Sequence, residues 1–173
     1  MKIFKYICIT LILFISQNTL KAESPHYLDF KLILNESNAG KKAQTFLKNK
    51  LETGIKNLKS KETKIQEEEK KIIEQKKIIS PEEYKKKVQS LRTKVESLRS
   101  ERNKLLESVA KQRTKARNEL LKNLNPIVKN YMEEKKIRMV VDKKNILLAD
   151  ESLNITKEIM AILNEKLKKI NLK

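Results

Sequence analysis

The 173-residue chain has no tryptophan, one histidine, one cysteine, two glycines and three prolines, and aromatic residues make up only 5 % of it. Each scarcity closes off a class of chemistry. Cys8 is the only cysteine and sits in a stretch expected to be removed, so the remaining chain forms neither a disulfide nor a thiolate metal site. His26 is alone, which rules out the common nucleophile–base pairs and zinc sets. Its place near the expected new N-terminus makes it an incidental residue in a disordered end. Gly40 and Gly54 cannot make a glycine-rich phosphate loop. The expectation is a protein that is not an enzyme and uses no cofactor and no metal.

Long apolar runs are also missing, with one exception at the start. Lys2 and Lys5 precede an apolar stretch from Tyr6 to Ile15, and Leu20-Lys21-Ala22 follows a short polar segment. This order reads as a secretory signal peptide over residues 1–22, cleaved after Ala22. An apolar core of about 10 residues is too short to cross a hydrocarbon layer of ~30 Å as a helix. An uncleaved anchor is the alternative reading.

Charge is what the chain has in abundance. Without residues 1–22 there are 37 basic and 22 acidic residues, a net charge of +15. Such an excess calls for an anionic partner: acidic protein segments, lipid phosphates or nucleic acid. With 36 % charged residues and so little glycine, the composition points to long helices with a narrow buried seam.

Leu51, Leu58, Ile65, Ile72 and Ile79 recur every seven residues, which is half of a coiled-coil seam. Glu62, Glu69 and Lys76 occupy the complementary positions, so this helix needs a partner. Ser80-Pro81-Glu82-Glu83 starts a new helix, with Ser80 as cap, Pro81 at the first turn and Glu83 completing a capping box. The chain therefore folds back at residues 79–81. The second helix carries Tyr84, Val88, Leu91, Val95, Leu98, Arg102, Leu105, Val109, Gln112 and Ala116 on its seam. Folding at residue 80 sets Ile72 against Val88, Ile65 against Val95, Ile55 against Leu105 and Leu51 against Val109. Residues 41–124 form this hairpin arm, and Asn125-Pro126 is expected to break or kink the second helix.

The two ends, residues 23–40 and 125–173, make a small body. Tyr27 to Phe30 reads as a strand, with a helical turn to Ser37 and a break near Gly40. Ile137 to Val141 and Ile146 to Ala149 read as a β-hairpin turned at Asp142 to Asn145. A helix after Thr156 presents Ile159, Ile162, Leu163 and Leu167. The fold class is α+β: a long antiparallel coiled-coil hairpin on a small β-sheet body with a C-terminal helix, in the order β-α-α-β-β-α. So small a core calls for oligomerisation through the body, with Tyr27, Phe30, Val140, Val141, Ile146 and Leu148 as the candidate contact residues.

Between Lys41 and Lys122 stand 25 basic and 12 acidic residues, so +13 of the +15 lies on the arm. Lys70, Lys71, Lys76, Lys77, Lys85, Lys86, Lys87, Arg92 and Lys94 crowd its tip and are the candidate binding residues. A merely solvated helix surface is the plainer alternative. Glu67-Glu68-Glu69 reads as a solvated face, and the triplets at Asn35 and Asn154 are chance matches to a glycosylation pattern.

These parts together resemble the Skp/OmpH family of periplasmic chaperones of Gram-negative bacteria. The resemblance rests on the signal peptide, on Leu28-Asp29-Phe30, on Ile33 to Ser37 with Gly40 to Ala43, and on the charged hairpin. It rests most on Val140 to Lys143, Asn145, Leu148 to Asp150 and Leu153 to Thr156, with Asn125-Pro126-Ile127 at the junction. It implies a homotrimer in the periplasm whose arms enclose a cavity. Such a trimer holds unfolded outer-membrane β-barrel proteins without ATP and prevents their aggregation before assembly. The alternative is an envelope structural protein, or one that binds anionic lipid or lipopolysaccharide. Specific nucleic-acid binding conflicts with export and lacks the aromatics that would stack on bases.

Overall fold

The computed structural model describes residues 24–172. The expected signal peptide and Cys8 lie outside them. The chain opens with strand β1 (His26–Leu28), followed by α1 (Phe30–Glu36) and two long helices, α2 (Asn38–Gln75) and α3 (Pro81–Lys135). Strand β2 (Val140–Asp142), two 3-10 turns (Lys143–Asn145 and Glu151–Leu153) and α4 (Thr156–Lys166) complete it. No helix of the described residues is long and apolar enough to cross a membrane. At about 1.5 Å per residue, the 38 residues of α2 and 55 of α3 span roughly 57 and 80 Å.

Local chemistry explains the boundaries. Asp29 caps α1 by accepting a hydrogen bond from the Leu32 amide at 2.8 Å. Buried Ser37 then does two jobs: its amide donates to the Ile33 carbonyl at 3.1 Å, ending α1, and its Oγ accepts from the Gly40 amide at 3.2 Å, starting α2. A Cβ at residue 40 would overlap the Leu34 carbonyl oxygen, so the corner requires glycine. The break therefore falls at Ser37, and Asn38-Ala39-Gly40 is the first turn of α2. At the tip, α2 stops at Gln75, residues 76–79 turn, and Ser80 Oγ accepts from the Glu83 amide at 3.2 Å to begin α3 with Pro81 in its first turn.

The fold-back of α2 on α3 about residue 80 is as expected, but Leu105 meets Gly54 and not Ile55, which is left exposed. Gly54 packs against Leu105, while Lys61 meets Glu101, Glu68 meets Lys94 and Gln75 meets Lys87. Leu58, Ile72 and Val109 are buried in the seam; Leu51, Ile65, Leu91, Leu98 and Leu105 are half-buried, and Val95 is exposed. Ile79, expected as the last seam residue, lies in the turn.

Two expectations are corrected. The first is the break at Asn125-Pro126, because α3 runs through Pro126 to Lys135. A proline inside a helix costs about 3 kcal/mol. Leu120, Leu124 and Ile127 are all buried around it, and burying such side chains contributes roughly 1.5–3 kcal/mol each. Three such contacts outweigh one missing donor.

The second concerns the C-terminal hairpin. The α+β class and the order of the long elements stand, but Ile146 to Ala149 forms no strand. Instead β2 pairs in parallel with β1, with His26 opposite Val140, Tyr27 opposite Val141 and Leu28 opposite Asp142. Asp142 and Asp150 accept from the amides of Lys144 (3.2 Å) and Ser152 (2.8 Å), so each caps a 3-10 turn. These local bonds compete with a ladder. The segment between them has no core to face: Leu147 and Leu148 are 96 % and 91 % exposed.

The core sits where β1, α1, the start of α2, the lower part of α3 and α4 meet, around Leu28, Ile33, Ala39, Leu120, Leu124, Ile127, Ile155, Ile159 and Leu163. A second cluster joins the base of the hairpin to the tail after α4, through Ala43, Leu47, Val109, Ala116 and Leu172. Lys42 Nζ donates to the Lys168 carbonyl at 3.1 Å and Gln112 Nε2 to that of Leu172 at 2.6 Å. No sequence pattern announced that docking.

Candidate interaction surface

The nine tip residues divide by what they touch. Lys87 Nζ donates to Gln75 Oε1 at 2.7 Å, Lys94 Nζ to both oxygens of Glu68 at 2.6 Å, and the Lys76 ammonium lies 5.9 Å from the Tyr84 ring centre. These three hold the tip of the hairpin together. Lys70, Lys71, Lys77, Lys85, Lys86 and Arg92 are exposed and make no ion pair among the described residues. Like charges gathered on the turn and the helix ends that flank it raise the local potential, which salt screens over about 8 Å.

The candidate body residues are scattered. Tyr27 is buried within the chain, Phe30, Val140, Val141 and Ile146 are half-buried, and Leu148 is fully in solvent. Tyr27 anchors a polar network that sequence reasoning missed. Its carbonyl accepts from the Ile155 amide at 3.0 Å. Burial pushes its phenol above the ordinary tyrosine value, and the neighbouring Glu151 carboxylate adds to the shift. Glu151 is held below the usual carboxylate range by hydrogen bonds from Asn154 (3.1 Å) and Tyr27, and Asp150 by its bonds from Ser152. Asn154 Oδ1 also accepts from Thr156 Oγ1 at 2.6 Å, and that hydroxyl accepts from the Asp29 amide at 2.8 Å. The network ties the two ends of the described chain together. His26, expected in a disordered end, lies in β1, and its buried Nδ1 has no hydrogen-bond partner among the described residues.

The profile of the OmpH family, described as outer membrane protein (OmpH-like), matches residues 26–163. The chain belongs to the OmpH-like family. That match takes in β1, the whole hairpin and most of α4, so the arm and body described above are OmpH-like features and not additions to another fold. An OmpH-like protein of Caulobacter crescentus CB15, described as a candidate outer membrane chaperone, has a crystal structure similar to this one with a TM-score of 0.78. The likeness covers 90 % of this chain and 93 % of that one at 19 % identity, and it establishes the shared fold. No curated protein matches the chain by sequence.

Proposed function

We propose that this OmpH-like chain is an ATP-independent periplasmic holdase that binds unfolded outer-membrane β-barrel proteins between its helical arms and keeps them from aggregating. The observation that carries the reading is the projecting hairpin, which holds +13 of the charge and rises far beyond a core built from residues at its base. Barrel precursors alternate apolar and polar residues. A basic arm draws their acidic segments in over long range, and many weak contacts retain them without irreversible capture. The chain acts as a homotrimer joined through the bodies, a reading supported by the outer edge of β2, which pairs with no strand among the described residues, and by exposed Leu147 and Leu148. Residues 1–22 direct export.

The test is dilution of a urea-unfolded β-barrel protein into buffer containing the exported protein at physiological salt. Suppressed light scattering is the expected result, and undiminished aggregation would remove the proposal. The six exposed tip cations without an ion pair also favour a second reading, binding to anionic lipid or lipopolysaccharide. Sedimentation with anionic but not neutral vesicles, with no effect on a barrel client, would select it.

A further inference from the structure

The two edges of the hairpin seam are built differently. On α3, Lys87, Lys94, Glu101 and Ser108 recur every seven residues and so form one stripe. Every one of them is bonded to α2: to Gln75 (2.7 Å), Glu68 (2.6 Å), Lys61 (2.6 Å) and Lys50 (2.7 Å). These bonds clasp that edge at four points, with a hollow beside Gly54, Leu58 and Lys61 between them.

The opposite edge is open. There Arg92, Arg99, Leu106 and Arg113 form another stripe at intervals of seven, with Val95 and Arg102 beside it. Facing them on α2 are Ile55, Glu62 and Glu69, again seven apart, and Ile73 one turn further on. One ion pair crosses this edge, Arg102 to Glu62, at 3.9 Å. Arg92, Arg99 and Arg113 are exposed and make no ion pair among the described residues. Exposed apolar side chains of the mid-arm gather on the same side: Ile55 is 52 % exposed, Ile73 61 %, Val95 44 % and Leu106 52 %. Between residues 92 and 113 the α3 side of this edge carries arginines and no lysine: Lys85 continues the stripe only at the tip, and Lys104 and Lys111 lie on a different, outward stripe.

We propose that this open edge, and not the lysine tip, is where the arm grips its client, and that the occupant is an extended segment of an unfolded outer-membrane β-barrel. The inference rests on the holdase reading above. A guanidinium is planar and weakly hydrated, binds carboxylates with two parallel hydrogen bonds, and stacks on aromatic rings. Barrel strands are rich in aromatic residues at their membrane interfaces. Among the described residues such rings meet lysines only, at Tyr27, Tyr84 and Tyr131, which leaves the arginines available to a partner. Interleaved apolar side chains add contact area without a closed pocket. Capture then has two stages: the tip lysines attract over distance, and the arginine edge holds.

The test compares two variants of equal charge on the same helix. R99Q/R113Q removes two open-edge guanidiniums, and K104Q/K111Q removes two outward lysines. Both sets are exposed, and far-UV circular dichroism checks that the helices persist. Affinity for a fluorescently labelled, urea-diluted barrel protein is expected to fall about fivefold or more in R99Q/R113Q and less than twofold in K104Q/K111Q. Equal losses, or no loss in either, would overturn the proposal in favour of diffuse charge attraction. A photo-crosslinking residue at Leu106 should capture the client and one at Lys104 should not; capture of a second copy of the chain or of lipid at Leu106 would also overturn it. Wild-type protein that fails to bind the client at all would defeat the holdase reading itself, an outcome separable from an edge that fails while the wild type binds.

Discussion

Replacing Pro126 with alanine should stabilise the protein. Pro126 lies inside α3, where it supplies no amide to the carbonyl one turn back. Alanine restores that donor and removes the ring clash, together worth about 3 kcal/mol in a helix interior. Against this, alanine gives the unfolded chain more freedom, offsetting roughly 0.4–1 kcal/mol. Leu124 and Ile127 are already packed, so no contact is lost. The net expectation is a gain of about 2 kcal/mol, and with a denaturant slope of about 1–3 kcal/mol/M the urea midpoint should rise by roughly 1 M. Circular dichroism during urea titration measures it, with helix content unchanged in the native baseline. An unchanged or lowered midpoint would mean that α3 is interrupted at Pro126 in solution, as its sequence alone suggests, and the continuity described above would be wrong.

Gly54→Val drives a branched side chain into Leu105 and should cost about 1–3 kcal/mol while speeding amide exchange in the mid-arm. Ser80→Ala removes the cap of α3 and should cost about 1 kcal/mol, seen as fraying confined to the tip. Glu151 and Asp150 have lowered folded-state pKa values, so the stability they confer is present above the ordinary carboxylate range and lost as pH falls through those lower values; Glu151→Gln should flatten the acid limb of a Tm–pH profile. Tyr27 is raised, so its contribution is complete below the ordinary tyrosine value and lost as pH climbs through the higher folded value; Tyr27→Phe should blunt the alkaline limb.

How much the sequence revealed depended on whether the signal was local. Ser80-Pro81 marked the tip because capping and a fixed φ act within four residues, and the seven-residue spacing of Leu51 to Ile72 specified its own partner. The run at Ile146 to Ala149 misled for the converse reason. Its β-branched and apolar content suits a strand, but Asp142 and Asp150 satisfy nearby amides, and β1, more than 110 residues away, takes the pairing. Pro126 misled because its penalty is local while the burial of Leu120, Leu124 and Ile127 depends on α1 and α4. Among the surface residues, the lysine cluster at the tip was plain from composition. The contrast between a bonded edge and an open one was also written in the heptad positions, but only the contacts distinguish a lysine that holds the hairpin from an arginine that does not.

The tail beyond α4 sets a boundary on movement. It is bonded to Lys42 on α2 and to Gln112 on α3, so it bridges the two helices at the root of the hairpin as a stay bridges the legs of a ladder. Splaying the root would break both bonds and uncover Leu172. Any separation of α2 from α3 must therefore begin farther out, beyond the stay. The spacing of the two helices is then fixed at the base of the hairpin and freer toward its tip.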